Sequence, residues 1–141
     1  MIELDNKTSL ELNEELFNTI AYLYTNKEIE LIITTNDEIQ QINKRSRNID
    51  MHTDVLSFPY AQMPMSPLGS IVISFSHVQS KAKEFQHKES DECTLLFIHG
   101  LLHLLGFDHE VDNGEMRQEE VKLIEKFNLP RSLIVRTQEK G

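Results

Sequence analysis

Apolar residues recur along much of this chain every three or four positions, which is the spacing of amphipathic helices. Several of these segments begin with residues that commonly cap helices, and two of them, at Thr8 and Thr35, have the pattern of a capping box. On these signals we predict helices over residues 8–24, 35–44, 76–87 and 113–127. Pro130 follows the last of them, and residues from about Thr137 are predicted to form a frayed tail.

Runs of β-branched and apolar residues elsewhere in the chain are typical of strands. They predict strands over residues 1–4, 28–35, 55–58 and 68–75, the third stopped by Pro59. Residues 45–53 and 62–67 lack a clear period and are predicted to be loops. Because strands and helices mix without strict alternation, we predict an α+β fold, in which a small mixed four-stranded sheet packs with about five helices.

A further helical segment, which begins near Ser90, is apolar on nearly all of its faces. A helix of this kind is buried, so we predict it to be the central element of the fold. Within it, His99 and His103 are four residues apart, or about 400° of helical rotation, so both imidazoles leave the same face. Gly106 is suited to end the helix in a left-handed conformation, after which the chain can turn back and present His109.

Three imidazoles that converge on one point suit Zn²⁺ and leave its fourth coordination position open, as in catalytic zinc sites. Core histidines satisfied by hydrogen bonds are the alternative. Burying His99 and His103 among leucines costs free energy unless both find partners, and a metal ion would supply them. We therefore predict one Zn²⁺ per chain, held by His99, His103 and His109, with a zinc-bound water as the activated group.

The spacing of the histidines is also that of the metzincin proteases. Those enzymes carry glutamate directly after the first histidine, where it serves as the general base. Here that position is Gly100, which has no side chain. The motif therefore favours a hydrolytic zinc site and argues against ordinary peptide hydrolysis.

Composition and charge narrow the possibilities further. The chain has 141 residues, which we interpret as one domain over 1–141, and its net charge of −9 opposes non-specific binding to nucleic acid. A local basic cluster, Lys44-Arg45-Ser46-Arg47, is the candidate surface for a polyanion, although Lys44 and Arg45 fit equally well as a helix end that complements the dipole.

The single cysteine, Cys93, excludes an intramolecular disulfide framework, and its place in an apolar helical pattern favours a core residue over a nucleophile. The sequence shows neither an apolar run long enough for a bilayer nor a positively charged signal region at Met1. We expect a cytoplasmic protein with no membrane partner.

Three segments together resemble the bacterial YbeY family. They are residues 53–59 (Thr-Asp-Val-Leu-Ser-Phe-Pro), residues 68–73 (Leu-Gly-Ser-Ile-Val-Ile) and the histidine stretch 99–109. The resemblance covers roughly residues 30–127. In the histidine stretch, the family's fixed positions are matched by His99, Gly100, His103, Leu104, Gly106, Asp108 and His109.

The resemblance implies a single-strand-specific, zinc-dependent endoribonuclease, a hydrolase of phosphodiester bonds. It would act in maturation of the 3′ end of small-subunit ribosomal RNA and in ribosome quality control. The implied partners are ribosomal RNA and the small ribosomal subunit, with a ribosomal protein or a ribosome-assembly GTPase as further candidates. The family's RNA-contacting arginine maps to Arg47, while Ser46, Ser70 and His52 stand where the family usually has tyrosine, an acidic residue and proline.

Two acidic residues near the motif remain open to two interpretations. Asp108 is either a turn residue or a carboxylate that orients an imidazole ligand, and Asp54 is either an acceptor at a loop end, which we favour, or an acid in the cleft. Function is open as well, because no protein base follows His99. A zinc-stabilised, non-catalytic ribosome assembly factor is the alternative to an endoribonuclease, and a metallopeptidase is disfavoured by Gly100.

Overall fold

The computed structural model describes residues 1–61, 63 and 65–139 of the chain. Over these residues the elements are β1 (Ile2–Asn6), α1 (Glu14–Tyr22), β2 (Ile29–Thr34), α2 (Asn36–Arg47), β3 (Val55–Pro59), β4 (Gly69–Ser74), α3 (Phe75–Phe85), α4 (Glu89–Leu104), α5 (Glu115–Lys126) and α6 (Ser132–Glu139). The predicted α+β class is confirmed, and α6 is a helix that the sequence pattern did not predict.

The strands of the described chain form one mixed sheet in the order β1-β2-β4-β3. β1, β2 and β4 run parallel, and β3 pairs antiparallel with β4 at one edge. Every residue of β4 is buried, as predicted for a strand covered on both faces. Because β3 is an edge strand, groups from the two faces of the sheet can meet beside it.

Helices cover the two faces unequally. α4 lies on one face, where twelve of its residues are buried and where Phe97 stacks on Phe17 with ring centroids 4.5 Å apart. On the other face α2 covers the β3–β4 side, and Ile39 packs with Leu56 and Val72. Because α4 is buried almost all round, its position is set by the core, as its sequence predicts.

Three helix starts differ from their predictions because other residues supply the caps. α1 begins after Asn13, whose side chain accepts the Leu16 amide at 3.1 Å, whereas Thr8 belongs to a preceding turn. α3 is capped by Ser74 rather than Ser76. Before α5, Asp112 rather than Asn113 accepts the amides of Gly114 and Met116, at 2.8 and 2.9 Å.

Helical structure extends into two segments that the sequence predicts to be irregular. α2 continues through Arg47 and ends where Asn48 adopts a left-handed conformation, so the predicted loop 45–53 begins too early. The predicted frayed tail is wrong over 137–139, because α6 includes these residues and Thr137 is buried. Residues 62 and 64 of the predicted loop, and residues 140 and 141 of the predicted tail, lie outside the described residues.

Two further observations concern the helices. Cys93 is buried on α4, and burial raises the pKa of its thiol to about 12, as suits a core residue. Among the described residues, none of the helices combines the length and the apolar character that a membrane crossing requires.

Gly100 lies where α4 approaches the sheet closely. A Cβ atom added there would lie 2.8 Å from Ile71 Cγ2 and 3.1 Å from Ser57 Oγ. Ser57 Oγ also donates a hydrogen bond to the Gly100 carbonyl at 3.0 Å. The position after His99 therefore faces β3 and β4 without room for a side chain, which gives a packing reason for the absence of glutamate.

We predict that Gly100→Ala lowers the free energy of unfolding by about 1–3 kcal/mol, because the new methyl group overpacks the contact with Ile71. Helix propensity alone would change stability in the opposite direction, by about 1 kcal/mol. Urea unfolding of metal-free protein measures the difference. A variant that is more stable than the parent would contradict the packing argument.

Candidate metal centre

The three predicted histidines meet at the C-terminal end of α4. One ligand nitrogen from each of His99, His103 and His109 lies within 4.8 Å of the others, so the group can hold a metal ion. The ring centroids are 4.7 Å apart for His99 and His103, and 5.2 Å apart for each pair that includes His109. We call this group the three-histidine centre.

The turn after α4 brings His109 to the other two histidines. The helix ends at Leu104, and Gly106 has a φ of 102°. The amides of Gly106 and Phe107 donate to the carbonyls of His103 and Leu102, each at 3.0 Å, as in a Schellman motif. The predicted role of Gly106 is confirmed, since a side chain is strained at this φ.

Hydrogen bonds orient both helical histidines toward a common point. Nδ1 of His103 lies 3.1 Å from the Phe107 carbonyl oxygen, and Nδ1 of His99 lies 3.1 Å from Glu120 Oε2. Carbonyl and carboxylate oxygens accept, so each Nδ1 carries the hydrogen and donates it. The two Nε2 atoms, 3.1 Å apart, are left with lone pairs for a metal, as in carboxylate–histidine–metal sites.

The surroundings of His103 favour the neutral imidazole that a metal requires. Burial lowers the pKa of His103 below its usual value, and His99 and His109 add to this effect. The Phe107 carbonyl and Asp108 act in the opposite direction without reversing it. His103 is therefore largely neutral at pH 7, which reduces competition between protons and a metal.

Glu120, the acceptor behind His99, was missed by the sequence reasoning. It lies on α5 and is buried, and its partner is 21 positions away in the chain. The available signal was its place on the inward stripe of α5, between Met116 and Ile124. A carboxylate at such a position needs a buried partner, and a histidine ligand is one.

The three-histidine centre opens into a cleft of about 490 Å³ beside the edge strand β3. Besides the histidines, the described lining residues are Arg47, Thr53, Asp54, Val55, Ser57, Pro59 and Glu110. A larger, shallower concavity of about 700 Å³ runs along α5, but its described lining includes no histidine, cysteine or aspartate. The cleft at β3 is thus the candidate site.

Arg47 reaches the cleft from the opposite face of the sheet. It is the last residue of α2, and its side chain passes the β3 edge to donate to the Ser57 carbonyl at 3.2 Å. Its guanidinium lies 5.7 Å from the centroid of the Phe58 ring, within the range of a cation–π contact. The structure thus places the predicted phosphate-contacting residue in the same cleft as the histidines.

The two ambiguous aspartates lie in different surroundings. Asp108 Oδ1 accepts the Glu110 amide at 3.0 Å, a contact typical of a turn residue, and its role in orienting an imidazole stays a prediction. Asp54 accepts a hydrogen bond from Arg136 at 3.2 Å and also lines the cleft. Asp54 is thus an acceptor, as favoured, and it also lies in the cleft, so the structure fits both interpretations.

The three departures from the family pattern lie outside the described lining of the cleft. Ser70 is on the α2 side of the sheet, with its hydroxyl 2.5 Å from that of Tyr60. Ser46 donates to the Ile42 carbonyl within α2. His52 Nδ1 lies 2.9 Å from His77 Nε2. None of these three residues is among the described residues that line the cleft with His99, His103 and His109.

Comparison with known proteins gives a consistent result. A family model described as Endoribonuclease YbeY matches residues 2–128. Curated proteins named Endoribonuclease YbeY are 64% identical in Sulfurimonas denitrificans, covering 98% of this chain and 99% of that protein, and 50% identical in Helicobacter pylori, covering 99% and 100%. A solution structure from Thermotoga maritima is 28% identical, with a TM-score of 0.62, over 89% of this chain and 88% of that one.

We predict that Glu120→Ala weakens metal binding by about 10- to 100-fold, because His99 loses the acceptor that fixes its orientation. Titration with a competing chelator measures the affinity. Glu125→Ala is the matched control, since Glu125 is an exposed carboxylate on the same helix. Equal affinities for the two variants would show that the Glu120 contact does not support the ligand.

Proposed function

This chain belongs to the YbeY family, and from that membership and the geometry of the cleft we propose that it is a zinc-dependent endoribonuclease. The observation that carries the proposal is the shared cleft of the three-histidine centre and Arg47. A metal site and a fixed guanidinium together suit attack on a phosphodiester, since one activates the nucleophile and the other binds phosphate.

The donor set of the centre fits zinc. Three imidazole nitrogens suit Zn²⁺, and three protein ligands match catalytic rather than structural zinc sites. The two helical ligands already have their Nδ1 hydrogens engaged. When bound by His99, His103 and His109, zinc supplies a Lewis acid and a water activated at neutral pH.

Arg47 provides the phosphate contact. A guanidinium matches two phosphate oxygens at once and neutralises the charge that develops during attack. Its contacts with Phe58 and the Ser57 carbonyl limit its freedom before RNA binds, while other N–H groups of the fork stay available. The side chain is thus held ready at the rim of the cleft.

The substrate we propose is single-stranded ribosomal RNA near the 3′ end of the small-subunit RNA, presented on a ribosomal particle in the cytoplasm. Gly100 leaves no base beside His99, and a positioned base contributes about 10²–10⁴-fold, so activity on free RNA should be slow. A ribosomal protein or an assembly GTPase that orients the particle would compensate. The same role would extend to ribosome quality control.

A non-catalytic assembly factor is the second candidate. The net charge of −9 and the lack of a side chain at Gly100 favour it, because both fit a zinc-stabilised binding module. The two functions differ in one measurable property, since only the enzyme produces RNA fragments.

We predict that zinc-loaded protein cleaves RNA in isolated small-subunit particles faster than free ribosomal RNA, and that it does not cleave casein. Chelator and His103→Ala should abolish cleavage, because each removes the metal site. Gel analysis of the RNA ends and metal analysis of the same samples provide the measurement. Binding without fragments would favour the assembly factor, and casein cleavage alone would contradict both functions.

We predict that Arg47→Ala lowers RNA cleavage by about 10- to 100-fold, the loss expected for one charged hydrogen bond. Arg47→Lys should recover only part of it, because lysine lacks the planar fork. Zinc content and the unfolding midpoint should be unchanged. Arg45→Ala, an exposed neighbour on α2, is the control, and equal losses in the two alanine variants would indicate a general charge effect.

A further inference from the structure

A buried network of charged groups joins α6 to α4, the metal helix, which carries His99 and His103. Arg136, on α6, has a side chain that is only 3% exposed. Its Nε donates to Glu92 Oε2 at 3.1 Å, and Glu92, in the first turn of α4, is fully buried. Glu92 Oε1 also lies 2.8 Å from Nε2 of His87. The Glu92 carboxylate is thus satisfied from two sides.

The second arm of Arg136 reaches the wall of the cleft. One of its terminal nitrogens donates to Asp54 Oδ2 at 3.2 Å. Asp54 directly precedes β3, its carbonyl accepts the Ser74 amide at 2.9 Å, and its side chain lines the cleft with the histidines. A single guanidinium therefore links the start of α4 to the start of β3.

The position of β3 matters for Arg47 as well. The acceptor of Arg47 is the carbonyl of Ser57, which lies in β3, three residues after Asp54 along the chain. Residues 53–57 therefore connect the Arg136 contact to the residue proposed to hold phosphate. Any displacement of this segment relative to α4 changes the separation between Arg47 and the histidines.

We propose that Arg136 is a positioning residue, which fixes residues 53–57 of the cleft wall relative to the metal helix by bridging Glu92 and Asp54. Arg136 lies outside residues 2–128, the part of the chain that the family model matches. Its effect on RNA cleavage rests on the proposed function, whereas its effect on the segment itself does not. Lysine cannot replace it, because an ammonium lacks the rigid fork that serves two carboxylates.

The test compares Arg136→Lys, Asp54→Ala and the double variant. Arg136→Lys keeps a positive charge beside Glu92, and Asp54→Ala leaves the Arg136–Glu92 pair intact. Neither single variant therefore leaves the buried Glu92 carboxylate without a cation, so both are expected to fold. Each single variant should lower kcat/KM on RNA by about 10- to 100-fold, the range for a misplaced substrate contact. Zinc content should be unchanged, and the double variant should lose no more than either single one.

Arg131→Lys, at an exposed position just before α6, is the control and should match the parent. A merely stabilising role would instead give losses that follow the unfolding midpoint, or that add in the double variant. Either result would overturn the proposal. So would a kcat/KM in Arg136→Lys equal to that of the parent.

Hydrogen–deuterium exchange separates this proposal from the proposed function. In metal-free protein, Arg136→Lys and Asp54→Ala should each raise exchange at residues 53–57 but not in β1 and β2. If the parent protein does not cleave RNA and this local change is seen, the proposed function fails while the positioning role stands. If exchange at residues 53–57 is unchanged, the positioning role is wrong.

Discussion

At Gly100 the metal helix lies so close to the sheet that a methyl group does not fit, and the rest of the site depends on this contact. The bond from Ser57 Oγ to the Gly100 carbonyl ties the same turn of α4 to β3. His99 directly precedes this turn, and His103 follows one turn later. The packing that buries α4 therefore also determines where its two imidazoles stand relative to the edge of the sheet. The contact at Gly100 therefore affects both the stability of the fold and the positions of His99 and His103.

The edge position of β3 explains how groups from opposite faces of the sheet reach one cleft. His99 and His103 lie on α4, which packs on one face of the sheet. Arg47 is the last residue of α2, which packs on the other face. Only at an edge can a side chain pass from one face to the other without crossing a strand. The antiparallel pairing of β3 with β4 directs the Ser57 carbonyl outward, where Arg47 meets it. An edge that would otherwise expose its backbone groups thus holds the Arg47 side chain at the cleft.

Local and non-local features of the site differ in how far sequence predicts them. The histidines and Gly106 lie within the eleven positions 99–109, so helical geometry relates His99 to His103 and the turn at Gly106 adds His109. Glu120 is 21 positions from His99, and Arg136 is 82 positions from Asp54, so only packing brings these pairs together. Caps were missed for a related reason. Ser74 and Ser76 are both suitable, and the end of β4 decides between them.

The charges that line the cleft bear on how an acidic protein attracts a polyanion. Asp54 and Glu110 line the cleft together with Arg47, so the charges of these side chains oppose one another. Arg136 neutralises Asp54 from behind, within the protein, and so reduces repulsion without exposing a further cation. A divalent ion is the largest local charge that such a cleft can gain. Because the field of a net charge of −9 opposes RNA at longer range, a divalent ion held by His99, His103 and His109 would make the cleft more attractive to phosphate. On this argument a bound ion would serve recognition of phosphate as well as chemistry, because it would add positive charge beside Arg47.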